Sequence, residues 1–410
     1  MITERGAGVL IGAAFAWLLG RFLGVPELYV LSTGALVLTG LSVAAVWLSA
    51  GRIEADRTVA PVRVAWGRPA QVTLSLRNRG RLATGLLLVV DEVPFTLADG
   101  PRFVLGGLAR GGTAAVGYEI GGAARGRYLL GPANVRLRDP FGLAERTRSV
   151  GERSELVVYP RLEHLGHGVP AAPRQGEGGR RRRTLLHSGD EFSTIREWHA
   201  GDDIRLVHWP SSAHRARLMV RQFEQPYEPQ ATLLCDTRSA VHRGAGPDST
   251  VETAISATAS ISELLGRYGH RLRLLLPDDA ELDPAEPQRI MDRLAEAAPS
   301  QRPSLSGALA LLSGRAGGGL LVAVLAPPAG AGKGVHPDTL ALLAAGRGYS
   351  VRIAVIVDTA AHPRAGEPAA AMAAALHAGG WRTVVHRPGT PLAGSWRRVA
   401  GSVALAAGGA

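Results

Sequence analysis

The chain has 410 residues, with 46 Lys+Arg against 35 Asp+Glu and a formal net charge of +11. That length allows about two to three domains, and a hydrophobic content of 46% excludes a wholly disordered chain. Cys235 is the only cysteine, which excludes an internal disulfide framework and a cysteine-based zinc site and suits a reducing compartment. Lys333 is the only lysine, so the basic balance is almost all arginine, set among many Ala and Gly residues. With aromatics at 5% there is little material for base stacking, and the composition points away from nucleic acid.

The chain opens with two uncharged runs inside residues 6–51. Residues 6–20 read GAGVLIGAAFAWLLG, Arg21 interrupts, Pro26-Glu27 punctuates, and residues 28–51 form a longer apolar run. A membrane span needs about 20 apolar residues. The second run meets that outright; the first does so if Arg21 snorkels to the interface. A signal peptide is the competing reading, but a strongly basic start is lacking and a second hydrophobic run follows at once. Arg5 before the hairpin and Arg52, Arg57 and Arg63 after it place both ends on the cytoplasmic side. The expectation is a multi-pass plasma-membrane protein with residues 1–52 as the hairpin and its soluble domains in the cytoplasm.

Residues 53–160 read as short alternating strands punctuated by Gly and Pro, the pattern of an antiparallel β-sandwich. Strands are expected at Gln71–Asn78, Leu86–Val90, Arg102–Leu105, Ala114–Ile120, Gly126–Leu130, Ala133–Arg138 and Glu155–Tyr159. Residues 161–186 form a Gly/Pro-rich linker carrying Arg180, Arg181, Arg182 and Arg183. A solvated linker is the plain reading of that run; attraction to anionic lipid headgroups is the sharper one. After Pro229 strands (Ala231–Cys235, Leu272–Leu276, Leu320–Leu325, Val351–Val357, Thr383–His386) alternate with helices (Ser249–Tyr268, Pro287–Ala297, Pro337–Ala345, Pro368–Ala378, Ser395–Ala406). Such alternation over residues 227–410 implies a doubly wound α/β sheet.

Between the two soluble domains, residues 187–226 hold a dense polar constellation. Asp190, Glu191, Arg196, Glu197, Asp202, Asp203, Arg205, His208, His214 and Arg215 are interleaved with Phe192, Trp198 and Trp209. Arginine forks and carboxylates could order this irregular segment, with the tryptophans shielding the pairs. His199, His208 and His214 match no common metal-ligand spacing. Ser211 and Ser212 lack the nucleophile-elbow context. A clamp between domains, or a docking surface for another protein, remains.

The motifs Gly189-Asp190-Glu191-Phe192, Ile195-Arg196-Glu197-Trp198, Gly201-Asp202-Asp203-Ile204-Arg205, His208-Trp209, Ser212-Ala213 and Leu218-Met219-Val220-Arg221 closely resemble the signature of the domain-of-unknown-function 58 family. Gly126-Arg127-Tyr128, Asp139-Pro140-Phe141-Gly142-Leu143 and Val157-Val158-Tyr159-Pro160 resemble its upstream segments. The resemblance implies a C-terminal region similar to a von Willebrand factor A domain, whose metal-ion-dependent adhesion site opens with D-x-S-x-S. Here the motif reads Asp236-Thr237-Arg238-Ser239-Ala240, so Arg238 and Ala240 stand where hydroxyls belong. Ser304 or Ser306 could stand for the second-loop hydroxyl, while Ala326-Pro327 offers no third-loop aspartate. A cation beside Asp236 repels a divalent metal. The site is therefore expected to be degenerate and without cofactor, Mg²⁺ at Asp236 and Ser304 being the alternative. A phosphate-loop look-alike at Pro327–Gly334 lacks the first glycine and the hydroxyl, and its proline cannot donate a backbone N–H.

The resemblance further implies association with a MoxR-type AAA+ ATPase. The resulting expectation is a non-enzymatic, membrane-anchored cytosolic scaffold acting in protein-complex assembly or remodelling. Its interaction residues would be Asp190, Arg196, Trp198, Gly201, Asp202, Asp203, Arg205, His208, Trp209, Ser212 and Arg221. The competing expectation is a divalent-metal-dependent adhesion module or enzyme centred on Asp236.

Overall fold

The computed structural model describes residues 2–50, 52–122, 124–166, 168–169, 193–199, 204, 207–223, 229–280, 284–313, 319–328, 335–360 and 367–400. Two long helices lead the chain: α1 (Glu4–Leu23) and α2 (Pro26–Ala50), both long and apolar enough to cross a membrane. Thr3 caps α1 by accepting from the Gly6 N–H, and Gly24 ends it in a left-handed conformation (φ 67°) that glycine adopts without strain. Apart from Val46, which packs into the following domain, the buried positions are small or polar: Gly6, Ala13 and Gly20 on α1, and Ser32, Thr39, Ser42 and Ser49 on α2. The large apolar side chains, Phe15, Phe22, Leu31 and Leu41 among them, point outward. That is the inverse of a water-soluble helix pair. Small residues at the contact let the two backbones approach, as apolar surroundings favour.

Only residues 51 and 52 separate α2 from the first strand, and the hairpin is seated directly on the domain that follows. Val46 near the end of α2 is part of that domain's core, and the Thr3 N–H donates to the Leu143 carbonyl at 2.9 Å.

The β domain consists of three small sheets. The first joins β1 (Ile53–Ala60), β3 (Pro69–Asn78) and β6 (Thr113–Gly121). The second joins β2 (Arg63–Val64), β7 (Gly126–Leu130) and β10 (Ser154–Val158). The third runs β5 (Arg102–Leu105), β4 (Leu87–Asp91), β8 (Ala133–Arg138) and β9 (Glu145–Val150). Strand β3 alternates strictly, burying Ala70, Val72, Leu74 and Leu76, as a half-buried strand must. Its side chains contribute to both cores: Leu74 and Leu76 join Leu87, Val89, Val135 and Leu137, while Ala70 and Val72 join Leu130, Leu156 and Val158. All pairings are antiparallel except β2 with β10, which is parallel, so the sandwich departs there from the purely antiparallel expectation. A buried guanidinium ties the sheets together. Arg57 Nε donates to Asp91 at 3.0 Å, and its Nη1 donates to the carbonyls of Leu130 and Glu152 at 2.9 and 2.8 Å.

The C-terminal domain is a six-stranded sheet in the order β15 (Pro284–Ala285), β14 (Arg271–Leu275), β13 (Gln230–Cys235), β16 (Leu320–Leu325), β17 (Val351–Val357), β18 (Arg382–His386). Every pair is parallel except β14 with β15. Helices α4 (Thr250–Arg267), α5 (Pro287–Glu296) and α9 (Leu392–Ala400) cover one face; α6 (Ser306–Ser313), α7 (Pro337–Ala345) and α8 (Glu367–Ala378) cover the other. The central strands read as unbroken apolar runs because both faces are buried. The last helix begins earlier than the expected Ser395, because Leu392, Trp396 and Val399 together form its buried stripe.

The joint between the two lobes is built around Arg125. Its Nε and Nη2 form a bidentate pair with Glu252 in the first turn of α4 at 2.7 and 2.8 Å. Its Nη1 donates to the Leu294 and Ala295 carbonyls, and Nη2 also donates to Ala297, so the guanidinium finishes the end of α5. All five of its N–H donors are used. Around it, Arg127 pairs with Glu296, while Arg63 and Tyr159 both bond Asp292 of α5. Arg63 thereby acts as a packing residue of the joint. Residues 161–166 then run over the sheet domain, where Leu165 enters the core, and Trp396 Nε1 donates to the Gly168 carbonyl. Residues 187–226, expected as a clamp between the domains or as a docking surface, lie in part outside the described residues.

Arg125→Met would leave the Glu252 carboxylate and three carbonyls without their donor, a loss on the order of 3 kcal/mol. Calorimetry should then show the lobes melting as two separated transitions. A single transition at the original temperature would mean that the coupling rests elsewhere.

Candidate functional site

The polypeptide leaves β13 at the centre of the sheet, and α4 carries it to β14 on one side while β16 lies on the other. Doubly wound sheets open a crevice at the carboxyl ends of the strands at such a switch point. Asp236 stands there, its N–H bonded to the Val324 carbonyl of β16 and its side chain fully buried.

Arg238 turns back onto Asp236. Its backbone N–H donates to Asp236 Oδ1 at 3.1 Å, its Nε to the same oxygen at 2.9 Å and its Nη2 to Oδ2 at 2.7 Å. Its Nη1 reaches Asp338 Oδ2 at 2.6 Å and the Pro303 carbonyl at 3.4 Å. Only 2% of the Arg238 surface is exposed. Asp338 lies in the first turn of α7, where the helix dipole favours a carboxylate. Its Oδ1 accepts from Ser304 Oγ at 2.6 Å and from the Leu305 N–H at 3.4 Å. Burial works against the Arg238 charge, but hydrogen bonding and attraction from Asp236, then Asp338, outweigh it and raise the pKa above that of free arginine. The guanidinium stays a cation.

Three loops are thus tied by one side chain: residues 236–240 after β13, residues 300–305 before α6, and the start of α7. The first two also exchange backbone bonds, Ser300 N–H to Thr237 O and Ser239 N–H to Ser300 O, both 2.8 Å. His242 supports the arrangement from beside it, its Nε2 lying 2.7 Å from the Asp236 carbonyl and its Nδ1 3.0 Å from Thr250 Oγ1. A carbonyl only accepts, so the proton sits on Nε2. Burial holds this imidazole below its ordinary pKa.

The donor set does not fit the magnesium of an adhesion site. The position facing Asp236 and Asp338 is filled by the Arg238 guanidinium, and both Asp236 oxygens are already engaged by it. Of the two candidate hydroxyls, Ser304 lies at the site as a donor to Asp338, while the Ser306 N–H donates to Ser304 Oγ at 3.0 Å. Among the described residues, no group of three or more His, Cys, Asp and Glu could hold a metal ion. Asp338 escapes a reading of the sequence because it lies on a helix rather than in the loop after β16. Its signal was local: His336-Pro337-Asp338 has a capping residue, a proline at the first helical position and an acid in the first turn.

The signature segment is a separate structure. Strand β11 (Ser193–Glu197) pairs antiparallel with β12 (Met219–Phe223), placing Arg196 opposite Val220 and Arg221 opposite Ile195 in register. Helix α3 (Trp209–Arg215) sits between them in sequence. His208 caps it: Nδ1 lies 2.8 Å from Ser211 Oγ and accepts the Ser211 N–H at 3.3 Å. Ser212 links α3 to β12, donating to the His208 carbonyl at 3.0 Å and accepting from the Met219 N–H at 2.9 Å. His199 and His214 are both exposed, and His199 Nδ1 bonds within its own loop to the Glu197 carbonyl.

Trp198 is half-buried, but Trp209 is 65% exposed. Trp209 therefore does not shield ion pairs as expected, because as the first residue of α3 it projects from the capped turn. Asp190, Gly201, Asp202, Asp203 and Arg205 lie outside the described residues, as do Arg180–Arg183 and positions 329–334 of the phosphate-loop look-alike. The lobes also enclose a cleft of about 1140 Å³, lined by Trp66, Arg125, Arg161, Glu252, Ser256 and His386.

Arg238→Met would leave two buried carboxylates without their cation, costing about 3–5 kcal/mol. Arg238→Lys should recover little of that loss, because an ammonium cannot fork across Asp236. Thermal melting of the full chain checks both variants; an unchanged melting temperature in Arg238→Met would show that the triad does not hold the loops.

Known proteins resemble parts of this chain. The model of a family described as "Protein of unknown function DUF58" matches residues 194–325. Uncharacterized protein YeaD of Bacillus subtilis (strain 168) is 24% identical over 215 residues, which is 51% of this chain and 52% of the relative. The chain thus spans about half the length of the curated relative it matches. Among solved structures, the CARDB domain of PF1109 from Pyrococcus furiosus covers 26% of this chain and 86% of its own length at 14% identity, with a TM-score of 0.19. The C-terminal domain of wzt covers 29% and 80% at 10% identity, with a TM-score of 0.21. Likenesses this slight bear on neither fold nor function. The chain carries its DUF58 family match at residues 194–325, a stretch that takes in Asp236, Arg238 and Ser304 and ends before Asp338.

Proposed function

We propose that this chain is a non-enzymatic scaffold anchored in the plasma membrane by α1 and α2, with both folded lobes in the cytoplasm. In this reading the C-terminal lobe is a von Willebrand factor A-like domain whose ion site has been closed by a side chain. The observation that carries the reading is the Arg238 guanidinium, held at the strand edge by Asp236 and Asp338. A permanent cation at that position turns a crevice suited to metal chemistry into a fixed structural joint.

The outward-facing Phe15, Phe22, Leu31 and Leu41 and the small buried contact residues support the membrane anchor. Arg5 and Arg52 are exposed at the shared end of the hairpin and support a cytoplasmic placement. Arg57 drops out of that count, since its guanidinium is buried against Asp91.

The partner in this reading is a MoxR-type AAA+ ATPase, and the activity is assembly or remodelling of protein complexes at the membrane. The signature residues offer the surface: exposed Trp209 beside His208 on the capped turn of α3. Cross-linking in intact membranes followed by partner identification is the test. An AAA+ ATPase should be captured by the native chain and at least several-fold less by Trp209→Ala. Recovery of no ATPase or other stable partner would contradict the scaffold role.

A further inference from the structure

We propose that the β8–β9 turn, with Phe141 at its tip, sits in the headgroup layer of the lipid bilayer and fixes the β domain against the membrane surface. The inference rests on the membrane-anchored reading above and adds a second, non-helical point of lipid contact.

The turn is bound to the start of α1 by several contacts. The Thr3 N–H donates to the Leu143 carbonyl at 2.9 Å, and Thr3 Oγ1 donates to the Gly142 carbonyl at 2.6 Å and to that of Leu143 at 3.1 Å. Ile2 forms a β-bridge with Ala144. The approach is close enough that a Cβ on Gly6 would lie 2.2 Å from the Leu143 oxygen. The other helix is held from the same side: Arg146 of β9 donates to the Trp47 carbonyl at 3.2 Å, with its guanidinium 5.4 Å from the centre of the Trp47 ring. Both helices therefore fix the height of this turn relative to the span.

Helix α1 has 20 residues, about 30 Å at 1.5 Å per residue, which matches the hydrocarbon thickness of a bilayer. Its first turn, bearing Glu4 and Arg5, then lies at the interface. The turn bonded to Thr3 lies there too.

The turn is stiff, and it aims its apolar residues outward. Buried Asp139 accepts the Phe141 N–H at 3.0 Å and the Ala144 N–H at 2.7 Å, and the Gly142 N–H closes onto the Asp139 carbonyl at 3.0 Å. Pro140 is exposed and Phe141 is 62% exposed. These bonds hold the backbone that presents Phe141 to the outside. Exposed Arg5 lies beside Gly142, which places a cation for anionic headgroups next to the aromatic ring. Trp47 and Phe141 thus both stand at the level where aromatic side chains anchor membrane proteins.

Phe95 supplies the contrast. It is 89% exposed but follows β4, whose Asp91 pairs with Ala133 at the opposite end of β8 from the turn.

The test uses the full chain in vesicles of phosphatidylcholine and phosphatidylglycerol, with single spin labels at Phe141→Cys, Phe95→Cys and Phe15→Cys. Native Cys235 is fully buried and its thiol is pushed up to about 12 by burial, so it does not compete for the label. At position 141, lipid-soluble oxygen should relax the label several-fold more than a water-soluble nickel chelate does. Position 95 should show the reverse, and position 15 should be dominated by oxygen. A label at 141 as open to nickel as that at 95, with 15 still dominated by oxygen, would overturn this inference alone. Nickel access at 15 would overturn the membrane reading and this inference with it.

Discussion

A single guanidinium between two buried aspartates organises the edge where the sheet lobe could otherwise do chemistry. Burying a carboxylate without a partner is costly, and burying two side by side is worse. Arg238 removes that cost for Asp236 through a side-on fork and for Asp338 through one further N–H. The remaining acceptor capacity of Asp338 is taken by Ser304 and the Leu305 N–H. Because the partners come from three separate loops, the same contact both neutralises the crevice and fixes its walls. A metal ion in such a position could leave or exchange ligands; a covalently attached cation cannot.

The same device recurs at larger scale. Arg57 joins sheets inside the β domain, and Arg125 joins the β domain to the sheet lobe, each with its guanidinium donors directed at carboxylate and carbonyl oxygens. These arginines are thus structural joints of the fold. Five-donor forks suit crowded, partly buried joints better than a lysine ammonium. With the helix pair seated on the first domain and that domain clamped to the second, position is passed from the helix pair to the strand edge through packed and bonded contacts.

Much of the fold is legible in the sequence wherever side-chain period reports burial. Strands Arg102–Leu105, Gly126–Leu130, Ala133–Arg138, Leu320–Leu325 and Val351–Val357 fall on their expected limits. Ser249 starts α4 as expected, its side chain accepting the Glu252 N–H. Strand β9 (ERTRSV) is missed because its residues are mostly exposed and charged, and its place is set by backbone pairing with β8. Helix α6 (SGALALLS) escapes because it lacks a polar stripe to mark a helical period. The site divides in the same way. Asp236 and Arg238 are readable because they are two residues apart, and their opposite charges sit at the end of a buried strand. Asp338 is a hundred residues further on and meets them only through the order of the strands. Arg125 and Glu252 are likewise brought together by topology, with no local pattern to announce the pair.

The most direct measurement is calorimetric titration of the full chain with Mg²⁺, run in parallel on the native protein and on Arg238→Ser. With the guanidinium in place, no saturable binding should be seen. Once it is replaced by a hydroxyl, Asp236, Asp338 and Ser304 should take up the ion and recover part of the lost thermal stability. Saturable binding by the native chain tighter than about 1 mM, the weak end of oxygen-ligand cation sites, would contradict the view that Arg238 has closed this edge.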